Sequence, residues 1–209
     1  MKISKLGHAC LLVEESEARI LIDPGAFSKG YEALEKLDGL LITHQHADHI
    51  TPETLEKVKA NNPAIKVYAD AGSAKMLGNE SIQTVKDGNE FEIAGVKVSV
   101  IGTDHAVIHP ELPGIENVGY LIASRLFIPG DAFTVPKVPV EILGLPIGAP
   151  WSKISEVIDY MVAVKPKVAF PLHDAVLAIP GMHTGMAKGF AEKAGIEVRV
   201  IEDGESAEF

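Results

Sequence analysis

Seven consecutive residues, Thr43-His44-Gln45-His46-Ala47-Asp48-His49, constrain this chain more than any other feature. They follow the short apolar run Leu40-Leu41-Ile42, which has the length and composition of a buried strand. Helical signals come next: Thr51 as N-cap, Pro52 at the first helical position, Glu53 in the first turn, then Leu55 and Val58 as an apolar stripe. The histidines therefore occupy a strand-to-helix loop, a favoured place for active sites in α/β folds. In an extended backbone His44 and His46, two residues apart, project to the same side and can share one metal ion. Asp48 and His49 then turn toward a neighbouring position and offer it an oxygen and a nitrogen. Three imidazoles and a carboxylate within six residues suit zinc, manganese or iron. The competing reading is a polar surface turn that happens to be rich in histidine; the apolar strand just before it argues against that.

Short β-type runs at Lys2–Leu6, Cys10–Glu14 and Arg19–Asp23 precede this segment, and Tyr31–Leu37 has helical spacing. Further strands are expected at Lys66–Ala69, Gln83–Val85, Glu90–Ile93, Val96–Ile101, Asn117–Ala123, Arg125–Ile128 and Val168–Leu172. Ser152–Val164 reads as a helix capped by Ser152, and Thr184–Ala194 as a last helix ending at Gly195. No linker, repeat or low-complexity tract interrupts the order. Residues 1–209 are expected to form one α/β layered domain.

The 209 residues suffice for a substantial core, and 46% hydrophobic with 23% charged residues is ordinary globular composition. A formal net charge of −10 repels polyphosphate, so long nucleic acid is not an expected partner, although a metal site can still attract one small anion. The single cysteine, Cys10, cannot form an internal disulfide, which fits a reducing compartment. The N-terminus reaches charge too soon for a secretory segment, and no apolar run approaches the roughly 20 residues of a membrane span. The expectation is a cytoplasmic protein that acts on a small molecule, away from membranes; oligomeric state is open.

The seven-residue segment matches the T-H-x-H-x-D-H motif and in this resembles the metallo-β-lactamase superfamily. The resemblance extends along most of the chain. A supporting aspartate just upstream corresponds to Asp23 in Leu21-Ile22-Asp23-Pro24-Gly25. Another histidine ligand corresponds to His105 in Gly102-Thr103-Asp104-His105, and a metal-bridging aspartate to Asp131 in Ile128-Pro129-Gly130-Asp131-Ala132. The last ligand corresponds to His173 in Phe170-Pro171-Leu172-His173. The resemblance implies a four-layer αβ/βα sandwich with metals at one edge. It implies one divalent ion on His44, His46 and His105, a second on Asp48, His49 and His173, and Asp131 between them. It also implies a metal-dependent hydrolase in which a bridging hydroxide attacks the substrate, with Asp48 and Asp131 taking part in catalysis; zinc is the first candidate, Mn2+ or Fe2+ the alternatives. Asp23 need not touch metal: it is expected to accept a ring N–H from a ligating histidine.

True β-lactamases of this fold place a cysteine or a rearranged ligand set where Asp131 stands. An aspartate there resembles the glyoxalase II, RNase Z and lactonase branches. The opening Leu6-Gly7-His8-Ala9 and the tail ending at His173 look most like small hydrolases related to L-ascorbate-6-phosphate lactonase. The implied substrate is a small ester, lactone or amide, with a small phosphodiester as alternative. An iron-dependent redox enzyme and a non-catalytic metal-binding module are further readings. Flavodiiron relatives typically carry a carboxylate at the position of His46, and a degenerate module would be expected to lose ligands. Around the ligands, His8 reads either as lining the site or as a buried histidine bonded to backbone. His109 reads as a substrate-facing general acid or an exposed loop residue, and Trp151 as a pocket wall or a core anchor. His183 carries no argument, and Cys10 reads as buried and inert.

Overall fold

The computed structural model describes all residues, 1–209, as two seven-stranded mixed sheets packed face to face. The N-terminal half builds the first sheet from β1 (Lys2–Lys5), β2 (Leu11–Glu15), β3 (Ala18–Ile22), β4 (Gly39–Ile42), β5 (Lys66–Ala69) and β6 (Ile82–Thr84). Helix α1 (Pro52–Asn61) joins β4 to β5, and α2 (Ala71–Leu77) joins β5 to β6. The second sheet comprises β7 (Glu90–Ile93), β8 (Val96–Ile101), β9 (Gly119–Ile122), β10 (Leu126–Ile128), β11 (Ile142–Pro146), β12 (Val168–Leu172) and β13 (Glu197–Val198), with α3 (Ile154–Val164) and α4 (Pro180–Ala194) between its last strands. The final strand, β14 (Ser206–Glu208), returns to pair antiparallel with β1, so both chain halves contribute to the first sheet.

The layering follows from side-chain alternation. Leu41 points into the core shared by the sheets, with Ile20, Tyr120, Ile128 and Phe170, while Leu40 and Ile42 on the other face of β4 pack with Leu55 and Val58 of α1. On the far side Leu143 and Leu145 of β11 pack with Val157 and Met161 of α3 and with Ala187 and Ala191 of α4. Helix, sheet, sheet, helix is the expected αβ/βα sandwich.

Strand direction gathers the site. β3 and β4 run parallel, and in the other sheet β10, β11 and β12 run parallel, with β8 aligned to them through two antiparallel steps at β9. The segments carrying chemistry leave β3, β4, β8, β10 and β12 at their carboxyl ends, the edge where α/β folds bind ligands. The Tyr120 hydroxyl donates to the Ile42 carbonyl at 2.8 Å, tying the sheets together beside this edge.

Several boundaries differ from the sequence expectations. α3 begins at Ile154, because the Ser152 hydroxyl is engaged in the turn with Ala149 and the Glu156 carboxylate accepts the Lys153 N–H instead. α4 begins at Pro180, four residues before Thr184, since proline needs no N–H partner in a first turn. Tyr31–Leu37 yields only a 3-10 turn at Tyr31–Ala33. The strands expected at Gln83–Val85 and Asn117–Ala123 pair over Ile82–Thr84 and Gly119–Ile122. The α1 start agrees: Thr51 Oγ1 accepts the Thr54 N–H at 3.1 Å, and Thr54 Oγ1 accepts the Thr51 N–H at 3.0 Å.

Candidate metal centre

The loop after β4 turns tightly: the His46 carbonyl accepts from the N–H of both His49 and Ile50, at 3.0 and 2.9 Å. This turn separates the donors into two directions. His44 Nε2 and His46 Nδ1 converge to 3.1 Å, while Asp48 and His49 face away toward His173. The strand from β3 passes so close that a Cβ at Gly25 would strike the backbone of Asp48 and His49, so only glycine fits there.

Asp23 fastens the loop from beneath. Its carboxylate accepts from the Thr43 N–H at 2.8 Å, from the Thr43 hydroxyl at 2.7 Å and from His49 Nδ1 at 2.9 Å. The Thr43 hydroxyl, its proton committed, accepts from His44 Nδ1 at 3.1 Å. Other Nδ1 atoms are anchored by carbonyls: His105 to Ala106 and His173 to Gly148, the latter at 2.8 Å. In each of these rings Nδ1 carries a proton, so the ligand-binding nitrogen is Nε2, which a metal takes once any proton there has left.

The donors form two groups, His44, His46, His105 and Asp131, and His8, Asp48, His49 and His173, with ligand atoms inside each within 4.8 Å of one another. Asp131 stands between them. One of its oxygens lies 3.1 Å from His49 Nε2; the other lies 3.2 Å from His173 Nε2 and 3.4 Å from His105 Nε2. His49 Nε2, His105 Nε2, His173 Nε2 and Asp131 Oδ1 are buried and make no well-directed hydrogen bond; the imidazoles meet Asp131 only at ion-pair distances of 3.1, 3.4 and 3.2 Å. Buried polar atoms without a well-directed hydrogen bond are costly, and four in one place, all nitrogen or carboxylate oxygen, fit a divalent cation.

Charge in the site is sorted. Burial, reinforced by His49, holds the His44 imidazole well below the usual histidine range, and burial with His105 lowers His46. For His173 burial opposes the charged ring, but Asp131 and Asp48 outweigh it and raise the group to about 9. His49 is also raised: burial again opposes, and Asp131 and Asp23 prevail. Burial likewise disfavours the charged carboxylates, yet His49, His105 and His173 hold Asp131 far below its ordinary range, and His173 and His8 do the same for Asp48.

His8 lies beside Asp48, His49 and His173 and is also bonded to backbone. It is fully buried, in a left-handed conformation (φ 47°), and its carbonyl accepts the His173 N–H at 3.0 Å. Its Nδ1 accepts the Ala175 N–H at 3.3 Å, so the neutral ring carries its proton on Nε2, which donates to Asp48 at 3.2 Å. That tautomer makes His8 a partner of Asp48 rather than a fourth donor to a metal. His109 is exposed; its Nδ1 accepts the Glu111 N–H at 3.2 Å, and the residue borders a cavity beside His46 and His105. Asp104 is exposed and belongs to neither group; its carboxylate accepts from the Thr103 hydroxyl, and its backbone forms a β-bridge with that of Glu116. His183 lies on α4, apart from both groups, and Cys10 is buried.

Trp151 does more than anchor the core: its indole N–H donates to Asp131 at 2.8 Å. Nothing near it in sequence announces this, since the partner is twenty residues away. Asn117 was also missed. Its Oδ1 accepts the Asp131 N–H at 2.9 Å and its Nδ2 donates to Pro129 at 2.8 Å. Between them, Gly130 (φ 67°) leaves no room for a Cβ against Asn117 and Thr43.

Residues 2–173 match the family described as "Beta-lactamase superfamily domain". The chain belongs to the metallo-β-lactamase superfamily. Among superfamily relatives, Protein Rv0786c of Mycobacterium tuberculosis is 46% identical over 183 residues, covering 85% of this chain and 86% of that protein. A UPF0173 metal-dependent hydrolase of Nanoarchaeum equitans, NEQ378, is 28% identical, with 96% of each chain covered. The superfamily fold also recurs in Igni18, a metallo hydrolase from Ignicoccus hospitalis, at a TM-score of 0.77 with 22% identity over 100% of this chain and 98% of that one.

Proposed function

We propose that this chain is a metal-dependent hydrolase that cleaves a small ester, lactone or amide at a centre for two divalent ions. The observation that carries the reading is the convergence of four buried donor atoms on His49, His105, His173 and Asp131, none of which makes a well-directed hydrogen bond. His44, His46 and His105 would hold one ion, Asp48, His49 and His173 the other, with Asp131 shared. Two such ions, zinc first and Mn2+ or Fe2+ as alternatives, supply an ionised water at neutral pH and polarise the substrate oxygen. The chain's own part is to orient. Asp23 and the Gly148 carbonyl fix the Nδ1 protons of His49 and His173, and His8 holds Asp48 in place. Asp48 and Asp131, both kept ionised, offset the cationic charge.

Lactones come first among substrates, because the opening Leu6-Gly7-His8-Ala9 resembles the lactonase branch. Small phosphodiesters come second, given the net charge of −10. No helix is long and apolar enough to cross a membrane, and with its single cysteine buried and free we place the protein in the cytoplasm. Elemental analysis of the purified protein, with a screen of lactones, thioesters and phosphodiesters, tests the reading. Two metal equivalents and turnover of a carboxylic ester or lactone are expected. A fully metallated protein that hydrolyses nothing would be a binding module, and a single tightly held iron would point to redox chemistry.

A further inference from the structure

We propose that the substrate carries an uncharged, apolar group beside its scissile bond, and that the loop Ala106–Ile115 seats this group. The proposal rests on the hydrolase reading and names a substrate class for the same site. A cavity of about 480 Å3 opens beside His46 and His105, and all its other lining residues belong to this loop. That volume lies within the range of small-molecule sites. Its wall is chiefly Val107, Ile108, Leu112, Pro113 and Ile115, and no lysine, arginine, aspartate or glutamate lines it.

Three of these side chains stand in water: Val107 is 72% exposed, Leu112 55% and Ile108 43%. Large apolar groups clustered on the surface next to a polar centre mark a binding groove. The loop is held in position at its base. The His105 N–H donates to the Ile115 carbonyl at 3.1 Å, and the Ala106 N–H to the Asp131 carbonyl at 2.8 Å. A turn closes between His109 and Leu112 at 3.0 Å, and Pro110 and Pro113 restrict the backbone further. The wall is thus fixed relative to Asp131.

Charge points the same way. Beyond the reach of the ion proposed at His46 and His105, an anionic substituent meets no lysine or arginine in the cavity, and Glu111 in the loop, Glu116 just beyond it and the net charge of −10 repel it. An alkyl or aryl group leaves water at no electrostatic cost. Each buried methylene should tighten binding by roughly threefold to fourfold.

Calorimetric titration of the metal-loaded protein with straight-chain hydroxamates, from acetohydroxamate to octanohydroxamate, separates the two claims. The hydroxamate head reports the metal centre and the chain reports the loop. Affinity should climb by roughly threefold to fourfold per methylene until the cavity is filled. A chain of equal length ending in a carboxylate should bind at least about tenfold more weakly than its uncharged counterpart. The double variant Val107→Ser, Leu112→Ser should flatten the series while leaving acetohydroxamate affinity and metal content unchanged. A flat series in the unaltered protein, with acetohydroxamate still bound, overturns the loop's role and leaves the metal centre standing. A flat series accompanied by concentration-dependent self-association overturns it too, and assigns the apolar loop to a second copy of the chain. Failure of acetohydroxamate itself to bind would remove the hydrolase reading together with this one.

Discussion

The first sheet supplies His44, His46, Asp48 and His49 from one turn after β4, whereas the second supplies His105, Asp131 and His173 from the ends of β8, β10 and β12. The first set is a property of local chain geometry, wired to Asp23 and Thr43 within the same sheet. The second exists only once three separate strands have found their register. Each group of donors draws on both sets, so ions bound there would fasten the sheets to each other at this edge. Breaking one residue of each kind measures how far the local turn depends on its tertiary counterpart.

The largest effect is expected at Asp131, the second-sheet residue that faces both groups. Asp131→Ala should abolish turnover and cost the protein at least one of two metal equivalents, read by elemental analysis. Asp131→Asn keeps the shape but removes the charge that offsets two divalent ions, and should be nearly as damaging. Full metal content and activity in the Asn variant would end the shared-ligand role.

The first-sheet counterpart is Asp23. It touches no metal group directly beyond its bond to His49, so Asp23→Ala should leave the donors in place and loosen their orientation. A loss of roughly 10- to 100-fold in metal affinity follows, as for other partners that orient ligating histidines. The buried Thr43 N–H and hydroxyl also lose their acceptor, which should destabilise the fold by about 1–3 kcal/mol. Chemical denaturation without metal isolates that second effect. An affinity loss with no stability loss would mean that water replaces the carboxylate.

The same contrast decides what was legible in the sequence. His44 to His49 could be read directly because two-residue spacing and a tight turn are local properties. His105, Asp131 and His173 were reachable through family resemblance alone, since a lone histidine at a strand end has no distinguishing local signal. Trp151 and Asn117 were out of reach as partners of Asp131, because the contacts arise from packing across twenty and fourteen residues. The order of strand and helix signals gave an α/β layered domain and the resemblance its four layers, while β11 was missed: Ile142–Pro146, buried on both faces, shows no polar alternation and contains glycine and proline. α2 was missed for a different reason. Its cap, Asp70, accepts the Ser73 N–H at 3.0 Å, but the helix it opens has only seven residues, with glycine in its first turn.

A pH series probes how protons and metal compete for the joint between the sheets. In the metal-free protein the raised His173 stabilises the fold below pH 6.5, and that stabilisation is lost as pH climbs through about 9. His49, also raised, acts in the same sense. His44, His46 and His8, held low by burial, act in the opposite sense, but only as pH falls below 6.5. Between pH 6.5 and 9 the metal-free Tm should therefore decline, while metal, which must displace those protons, binds more tightly. The Tm gap between loaded and metal-free protein should widen steadily across this window. A constant gap would show that His49 and His173 are not the protonated members of the cluster.

The smallest expected effect comes from Trp151, which acts on Asp131 as Asp23 acts on His49, but through one neutral donor instead of a carboxylate. Its indole N–H, 2.8 Å from the Asp131 carboxylate, fixes the rotation of that group and draws electron density from the oxygen that also faces His105 and His173. Trp151→Phe retains an aromatic ring against Phe133, whose centroid lies 5.0 Å away, and removes the donor. Packing should therefore survive, with metal-free stability lowered by no more than about 1 kcal/mol. Metal affinity should fall by roughly tenfold, the low end for a partner that orients a ligand, because Asn117 still holds the Asp131 backbone. Trp151→Ala should produce the same affinity loss plus a further stability loss of about 3 kcal/mol from the emptied ring site. If the Phe variant binds metal as tightly as the unaltered protein while the Ala variant does not, the ring's bulk rather than its N–H positions Asp131. The Asp131 carboxylate would then be oriented by packing, in contrast to the hydrogen-bonded side chains of the first-sheet turn.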